Sequence, residues 1–371
     1  MPYFKNIKLS NFRNFKDFNL DFSKKCNVFY GSNGCGKTNL LEAISIFSKG
    51  RGLRKDKISN FINMNEEFFS IITNFSDNNV EYELNVFSEI KNNKFLKKIK
   101  LNGETSSEVN NKIQSLITFL IYIPENERLF MASPTTRRNL FDHFIISYNQ
   151  SYNSLLNIYK KNIVERNIIL NNNVTDQSWI EKIEEDIVKI GIEIYQQRIR
   201  QSDIFEKNLE HISEYLTIPF KVNIQIKDTF FNSRITEDEY KYTLKKNREI
   251  DKIIGGTKIG PHKSDTVFYV NQNYPASQLS TGQQKTLILL LYFAQCHYLV
   301  NYCKKKPILL LDEINSHLDD FNIQLLLKIV EQFEIQVFMT GTKKDLFSFL
   351  STNTNFYNIS TKWTKITHQN L

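Results

Sequence analysis

Residues 31 to 38 read Gly31-Ser32-Asn33-Gly34-Cys35-Gly36-Lys37-Thr38, which matches the spacing G-x-x-x-x-G-K-[ST]. Each residue type there has a chemical reason. The glycines let the backbone curl so that successive N–H groups point at one phosphate. Lys37 would neutralise β/γ oxygens, and the Thr38 hydroxyl would ligate Mg²⁺. The bland alternative is a chance match in a glycine-containing turn. The context argues against it. An apolar run, Cys26 to Tyr30, precedes the loop. A helical pattern over Asn39 to Ser48, with Leu40, Leu41, Ile44 and Phe47 on one face, follows it. The loop alone does not separate ATP from GTP.

Two further stretches could complete such a site. Residues 308 to 313 read ILLLDE, a buried strand with Asp312 and Glu313 at its carboxyl end. Asp312 suits the carboxylate that organises Mg²⁺ in a phosphate-loop NTPase, and Glu313 suits the base that orients or deprotonates the attacking water. An apolar strand ending in two acids is common by itself; the phosphate loop gives it meaning. Residues 279 to 285 read LSTGQQK ahead of an apolar helix. Ser280 is a good N-cap, Gly282 exposes first-turn N–H groups, and such a helix start favours anions. The choice is between an ordinary capped helix and a reader of the γ-phosphate.

The elements that must hold these residues can be read from pattern. Alternating apolar residues give strands over Ile7 to Phe12 and Phe18 to Phe22. A β-rich stretch runs from Phe68 to about Leu101 and ends at Asn102-Gly103, a good hairpin turn. Phe119 to Ile123 is another strand. From Thr136 to about Tyr215 there is no Pro and a single Gly, Gly191, and helical spacings predict an insertion of two to four helices. A strand pair is expected around Phe220 to Ile226, and strand and loop character resumes at Gly255. The last third alternates: helix Thr281 to Val300, strand Ile308 to Leu311, helix Asp320 to Phe333, strand Gln336 to Thr340, then a final helix and strand. That order predicts an α/β domain with a parallel sheet.

The chain has 371 residues, 41% hydrophobic and 24% charged, which excludes extended disorder and is long enough for two structural lobes. The formal net charge of +8 suits a partner carrying phosphates without requiring one. No apolar run approaches the ~18 residues that cross a bilayer. Lys5 and Lys8 interrupt the N-terminus, so no signal peptide and no membrane partner are expected. Cys26, Cys35, Cys296 and Cys303 fall at unrelated spacings, which indicates neither a zinc hook nor a disulfide frame. The default is a reduced, cytoplasmic protein.

The motif order is a phosphate loop near the N-terminus, then L-S-x-G-Q-Q, apolar-Asp-Glu, and SHLDD at Ser316 to Asp320. It resembles that of ABC-type ATPase heads. The resemblance narrows to the RecF family of bacterial recombinational repair ATPases on four stretches. These are NFRNF at Asn11 to Phe15 with TNLLEAI at Thr38 to Ile44, PENERLFMASPTTRRNLFD at Pro124 to Asp142, GPHKSD at Gly260 to Asp265, and LSTGQQKTLILLLYFAQ. The resemblance spans nearly the whole chain and is weakest over roughly 145 to 245. It implies a mixed sheet plus an antiparallel β part, with an inserted helical lobe. The head would comprise 1–140 and 249–371, and the helical lobe 141–248. It also implies ATP and Mg²⁺ as cofactors and a head-to-tail homodimer closed over two ATP molecules. In that pair Ser280, Gly282 and Gln283 would act in trans on the nucleotide held by the partner's phosphate loop, with Asp319 at the interface. The activity implied is ATP hydrolysis that releases duplex DNA gripped near single-strand gaps, in company with RecO and RecR, which place RecA on gapped DNA. This chain departs from ABC transporters in reading QVFMTGT, which puts Thr340 where they carry a switch His, and in lacking a clear Q-loop Gln. That argues against fast hydrolysis. The rival readings are a DNA-independent ABC ATPase, either a transport subunit or an SMC-like head, and a nucleotide-gated adaptor.

Arg13 is open between flanking adenine and sitting in a solvated turn. Arg138 and Asp142 are spaced for an i, i+4 pair, a structural reading slightly preferred over DNA contact. His262 is expected in a turn or interface role. Two basic stretches, Gly50 to Lys55 and Lys91, Lys94, Lys97, Lys98 and Lys100, read equally as solvated faces or as DNA-phosphate contacts.

Overall fold

In a computed structural model, the described residues are 1–48, 52–54, 56–92, 94–172, 176–214, 216–228, 236–314, 319–350 and 353–360. In chain order the elements begin with strands β1 (Tyr3–Phe4), β2 (Asn6–Phe12), β3 (Phe15–Asp21) and β4 (Cys26–Tyr30), then helix α1 (Lys37–Ser45). Strands β5 (Ser70–Asp77), β6 (Val80–Lys91) and β7 (Lys94–Leu101), helix α2 (Ser107–Leu116) and strand β8 (Phe119–Tyr122) follow. Next come helices α3 (Pro134–Tyr148), α4 (Ser151–Asn171) and α5 (Gln177–Ser213), strand β9 (Val222–Lys227), and helices α6 (Glu237–Lys246) and α7 (Arg248–Ile254). Strands β10 (Asp265–Val270) and β11 (Tyr274–Pro275) lead to α8 (Thr281–Asn301), β12 (Ile308–Leu311), α9 (Asp320–Gln332), β13 (Val337–Gly341) and β14 (Thr354–Asn358).

The chain forms two compact units, Met1–Asn126 with Cys296–Leu371, and Glu127–Gln295. The expected divisions near 140 and 248 both fall inside the second unit. The reason is local: Arg198 of α5 grips Asp142 of α3 through both oxygens at 2.9 Å, and β10 pairs along β9, so both flanking stretches are tied to the helical lobe.

The first unit holds two sheets. One is wholly parallel, in the order β14-β4-β13-β12-β8. Its central strands are buried almost residue by residue and are mainly apolar, as a sheet covered on both faces requires. The other is antiparallel, β3-β2-β5-β6-β7 with β1 on β5. Phe4, Phe12, Phe15, Phe61, Phe69 and Phe75 fill its buried face. The β5–β6 connection is the two-residue turn Asn78-Asn79, both at positive φ (47° and 64°), which matches the right-handed twist of a hairpin. Asn102-Gly103 also turns with both φ positive, and Leu101 pairs Glu104 across it. No strand returns, because Ser106 caps α2 immediately afterwards, accepting from Val109 N–H at 3.0 Å.

The second unit contains the helical insertion, where among the described residues α3, α4 and α5 stand over the stretch in which two to four helices were expected, and a small antiparallel sheet β11-β10-β9. Helices α6 and α7 lie in a stretch given no element from the sequence. In the first unit, the final helix read from the sequence is only a single turn, Lys344–Phe347. Two fully buried guanidiniums organise the unit. Arg166 of α4 donates to Glu184 of α5 (2.9 Å), Asp251 of α7 and Thr257 (2.8 Å each), and the Leu244 carbonyl of α6 (2.8 Å). Arg198 of α5 grips Asp142 of α3 through both oxygens at 2.9 Å and donates to the Pro261 carbonyl at 2.6 Å. The expected Arg138–Asp142 pair therefore does not form. Asp142 faces Arg198 and Tyr152, while Arg138 donates to the Ser264 carbonyl and Thr135. A buried guanidinium needs a bidentate carboxylate more than a neighbouring turn does. His262 takes a structural place, as expected. Its Nε2–H donates to the Thr257 carbonyl (2.8 Å), and its Nδ1 accepts from the Tyr159 hydroxyl (3.0 Å). Among the described residues no helix is long and apolar enough to cross a membrane.

Two outcomes are expected. Arg166→Met leaves Asp251 and Glu184 buried with too few donors, and should cost about 3–5 kcal/mol in denaturant unfolding; a loss under about 1 kcal/mol would show the network to be passive. Burial lowers the His262 pKa below its ordinary 6.5. Under pH 6.5 the unfolded chain therefore takes up a proton that the folded one resists, and stability falls as pH drops through that window. His262→Gln should flatten this part of the pH dependence, as read by urea unfolding at pH 7.5 and 5.5.

Candidate nucleotide site

The loop from Gly31 to Gly36 runs from the end of β4 to the start of α1, so strand, loop and helix fall in the order the motif needs. Gly31, Gly34 and Gly36 adopt φ of 153°, 77° and 107°, conformations that side-chain-bearing residues avoid. Gly36 is the N-cap of α1, which leaves the first-turn N–H groups directed at the loop. Gly31 has a second reason. A Cβ there would lie 2.3 Å from the Ile359 carbonyl oxygen, because the chain leaving β14 passes directly behind the loop, where Ile359 N–H donates to Tyr30 O at 2.8 Å. Cys35 is buried, and its carbonyl accepts from Asn14 Nδ2 at 3.3 Å. Asn14 in turn accepts from Asn39 of α1 at 2.8 Å. The Lys37 ammonium donates to the carbonyls of Gly31 and Ser32 at 2.9 Å each, so it sits across the loop. Ser32, Asn33 and Gly34 are exposed or partly exposed at its rim.

Asp312 emerges from β12 beside α1. Thr38 Oγ1 donates to Asp312 Oδ1 at 3.0 Å, which joins the loop to the acidic strand end as expected for the two sides of one site. Burial pushes the Asp312 pKa up, and the Thr340 and Thr38 hydroxyls work against that. Two hard oxygen donors converging on one point fit a Mg²⁺ site held jointly with phosphate oxygens. Glu313 follows, exposed, with φ of 48°. Thr340 lies next to both acids. Its hydroxyl donates to Asp312 Oδ1 (2.7 Å) and accepts from Glu313 N–H (2.7 Å). The sequence marked Thr340 only as a missing histidine. The register of β13 on β12, Leu311 beside Met339, is what puts it next to Asp312.

Ser280, Gly282 and Gln283 belong to the second unit, where Ser280 and Gln283 form a capping box: Ser280 Oγ accepts from Gln283 N–H (3.3 Å), and Gln283 Oε1 accepts from Ser280 N–H (3.0 Å). All three are exposed, and a Cβ on Gly282 would meet open space. Asp319 caps α9, accepting from Asn322 N–H at 2.8 Å. Of the SHLDD stretch, 316–318 lie outside the described residues, as do Gly50, Arg51 and Lys55 of the first basic stretch.

Arg13 is not a solvated turn arginine. Held at φ 54°, its guanidinium donates to Glu42 of α1 (2.8 Å) and Asp56 (2.9 Å) and lies 5.0 Å from the Phe61 ring centre. In the second basic stretch, Lys97 turns inward and caps the chain end of α1 through the carbonyls of Ile46 and Ser48, 2.9 Å each. Burial pushes its pKa down to about 8. Lys98 pairs with Glu89, and Lys100 lies over Phe87. Lys91 and Lys94 face each other across β6 and β7, exposed. The run is thus split between structural and solvent-facing roles.

A parallel sheet with the phosphate loop at its edge, an antiparallel β part, and a signature-type helix start in an inserted second unit define an ABC-type P-loop ATPase head. SMC heads share this fold: that of Pyrococcus furiosus Smc superposes with a TM-score of 0.55 at 18% identity, over 99% of this chain and 96% of that one. The profile of the RecF/RecN/SMC N terminal domain family matches residues 3–365. The chain belongs to this family, and within it to RecF. The DNA replication and repair protein RecF of Rickettsia prowazekii (strain Madrid E) is 31% identical, covering 92% of this chain and 94% of that one. RecF of Rhizobium etli (strain CFN 42) is 29% identical, covering 95% and 96%. The solved structure of the recombination mediator protein RecF-ATPrS in the RecFOR pathway has a TM-score of 0.84 at 27% identity, covering 97% of this chain and 96% of that one.

Gly31→Ala, at φ 153° and against a backbone oxygen, should weaken MgATP binding more than tenfold in calorimetric titration, whereas Gly34→Ala, with open space around its Cβ, should cost only the ~1 kcal/mol of its backbone conformation. Equal affinities for the two variants would mean that the approach of Ile359 does not shape the loop.

Proposed function

We propose that this chain is an ATP-dependent DNA-binding protein of recombinational gap repair that uses slow ATP hydrolysis as a switch. The observation that carries the reading is the Thr38–Asp312 contact between phosphate loop and acidic strand end, beside the outward-facing Glu313. ATP binds along Gly31 to Thr38, with Lys37 at the β/γ oxygens. Thr38 and Asp312 would hold Mg²⁺, which would supply charge neutralisation at those oxygens. Glu313 takes the proton of the attacking water.

The exposed cap at Ser280, Gly282 and Gln283 supports closure of a head-to-tail homodimer, with Asp319 at the interface. A helix start with open approach at Gly282 can receive a γ-phosphate offered by a second copy. Closure would present basic surface to duplex DNA and to single-strand/double-strand junctions, with Lys91 and Lys94 as the exposed members of the second stretch. Hydrolysis, weak and stimulated by DNA, would open the pair. By family, RecO and RecR are the partners and RecA loading in the cytoplasm is the task.

Glu313→Gln keeps the ligand geometry and removes the base. It should sediment as a long-lived dimer with ATP and hold gapped duplex DNA, while the parent dimer decays as ATP is consumed. A variant that stays monomeric at every ATP concentration would end this reading. A dimer indifferent to DNA would favour the nucleotide-gated adaptor instead.

A further inference from the structure

Thr340 is completely buried in β13, and the parallel register carries it alongside Asp312 at the end of β12. Its hydroxyl has one hydrogen to give and lone pairs to accept with. A backbone N–H can only donate, so the 2.7 Å contact with Glu313 N makes Thr340 Oγ1 the acceptor there. Its single hydrogen is then committed to Asp312 Oδ1, also 2.7 Å away. One hydroxyl thus ties two successive acids together and fixes the direction of both bonds. The tie matters because Glu313 sits at φ 48°, a left-handed conformation that a glutamate does not adopt unless its surroundings impose it. Thr38 donates to the same Asp312 oxygen from the opposite element at 3.0 Å. Asp312 is therefore gripped from two sides, and Glu313 is hung from one of the two grips.

We propose that Thr340 is a positioning residue for ATP hydrolysis, holding Asp312 in place and aiming Glu313 at the attacking water through one hydroxyl. The proposal rests on the ATPase reading of the site. In that reaction water oxygen bonds to the γ-phosphorus, Glu313 takes one water proton, and the bond from the γ-phosphorus to the β–γ bridging oxygen breaks with its electron pair leaving on ADP. Thr340 touches none of the reacting atoms. It sets where the base starts, and a misplacement of about 1 Å in such a group costs up to about a hundredfold in rate. A threonine here does a different job from a residue reaching outward toward nucleotide, because its side chain is turned into the acidic turn.

The test compares Thr340→Val, which keeps the shape and removes the hydroxyl, with Thr340→Ser, which keeps the hydroxyl. Calorimetric MgATP titration, steady-state hydrolysis with and without duplex DNA, and thermal unfolding are read for each. Thr340→Val should lose between about tenfold and about a hundredfold in kcat, while its MgATP affinity stays within about threefold. Thr340→Ser should stay within about threefold of the parent in both. Thr340→Val turning over at the parental rate overturns the proposal. So does a loss of affinity as large as the loss of rate, or Thr340→Ser as slow as Thr340→Val. Should the valine variant not fold, Thr340→Cys, whose thiol is a weak donor and acceptor, replaces it: reduced kcat with retained affinity supports the role, and unchanged kcat overturns it. Failure of the underlying reading looks different, since it would show as a parent protein that binds MgATP and hydrolyses it no faster than Glu313→Gln.

Discussion

A carboxylate at the end of a buried parallel strand is unfavourable as an anion unless donors meet it, and the architecture of the first unit can be read as the arrangement that supplies them. Asp312 gains one from the first turn of α1 and one from β13. Both donors are available only because β4, β13 and β12 lie in that order and run the same way, which brings the phosphate loop, Thr340 and the acids to one edge of the sheet. Ligand sites of open parallel sheets gather at the carboxyl ends of strands for the same reason. The loop is confined from behind as well, by the chain leaving β14, so that Gly31 is required by its neighbour as much as by its own torsion angle.

The second unit meets the same problem with opposite charge. Arg166 and Arg198 are guanidiniums with almost no exposure, and each is surrounded by carboxylates, hydroxyls and carbonyl oxygens drawn from distant parts of the chain. Replacing one partner of such a set strands the others, so the network specifies which helices meet even if its net contribution to stability is small. It also explains two of the family-like stretches. Arg137 and Arg138 of the first lock onto Asp265 and Ser264 of the second, and Arg198 joins them through Pro261. Their resemblance to relatives reads here as the wiring of one hydrogen-bonded knot.

Periodicity and motif spacing were enough where local chemistry decides structure. Strand Cys26–Tyr30, strand Ile308–Leu311 and the start of the signature helix at Thr281 fall where the residues place them, because a short apolar run bounded by Gly or by acids has few alternatives. Longer-range choices were not legible. Asp142 could be assigned to its i, i+4 neighbour from spacing alone, yet the partner that wins is Arg198, a buried group whose need for two oxygens is visible only in three dimensions. Asn102-Gly103 has hairpin chemistry and turns as a hairpin does, but the cap at Ser106 diverts the chain. Lys97 sits in a basic run and points away from solvent, since the strand alternation that faces Lys98 outward faces Lys97 toward the end of α1.

The helix starts that matter for the proposed dimer are already partly occupied by their own side chains. Ser280 and Gln283 satisfy one another's backbone N–H groups, and Asp319 does so for α9. A phosphate arriving from a second copy would therefore displace internal hydrogen bonds at Ser280 and Gln283 as well as meet the first-turn N–H groups that the cap leaves over. The net gain on closing would be the difference between a charge-assisted bond and a neutral one, which is modest for each contact. A closure built from such differences would be reversible, with the γ-phosphate itself supplying the advantage, and its loss on hydrolysis would return the caps to their own side chains. Tight, nucleotide-independent pairing would require apolar surface at these helix starts, and Ser280, Gly282, Gln283 and Asp319 offer polar atoms and a glycine instead.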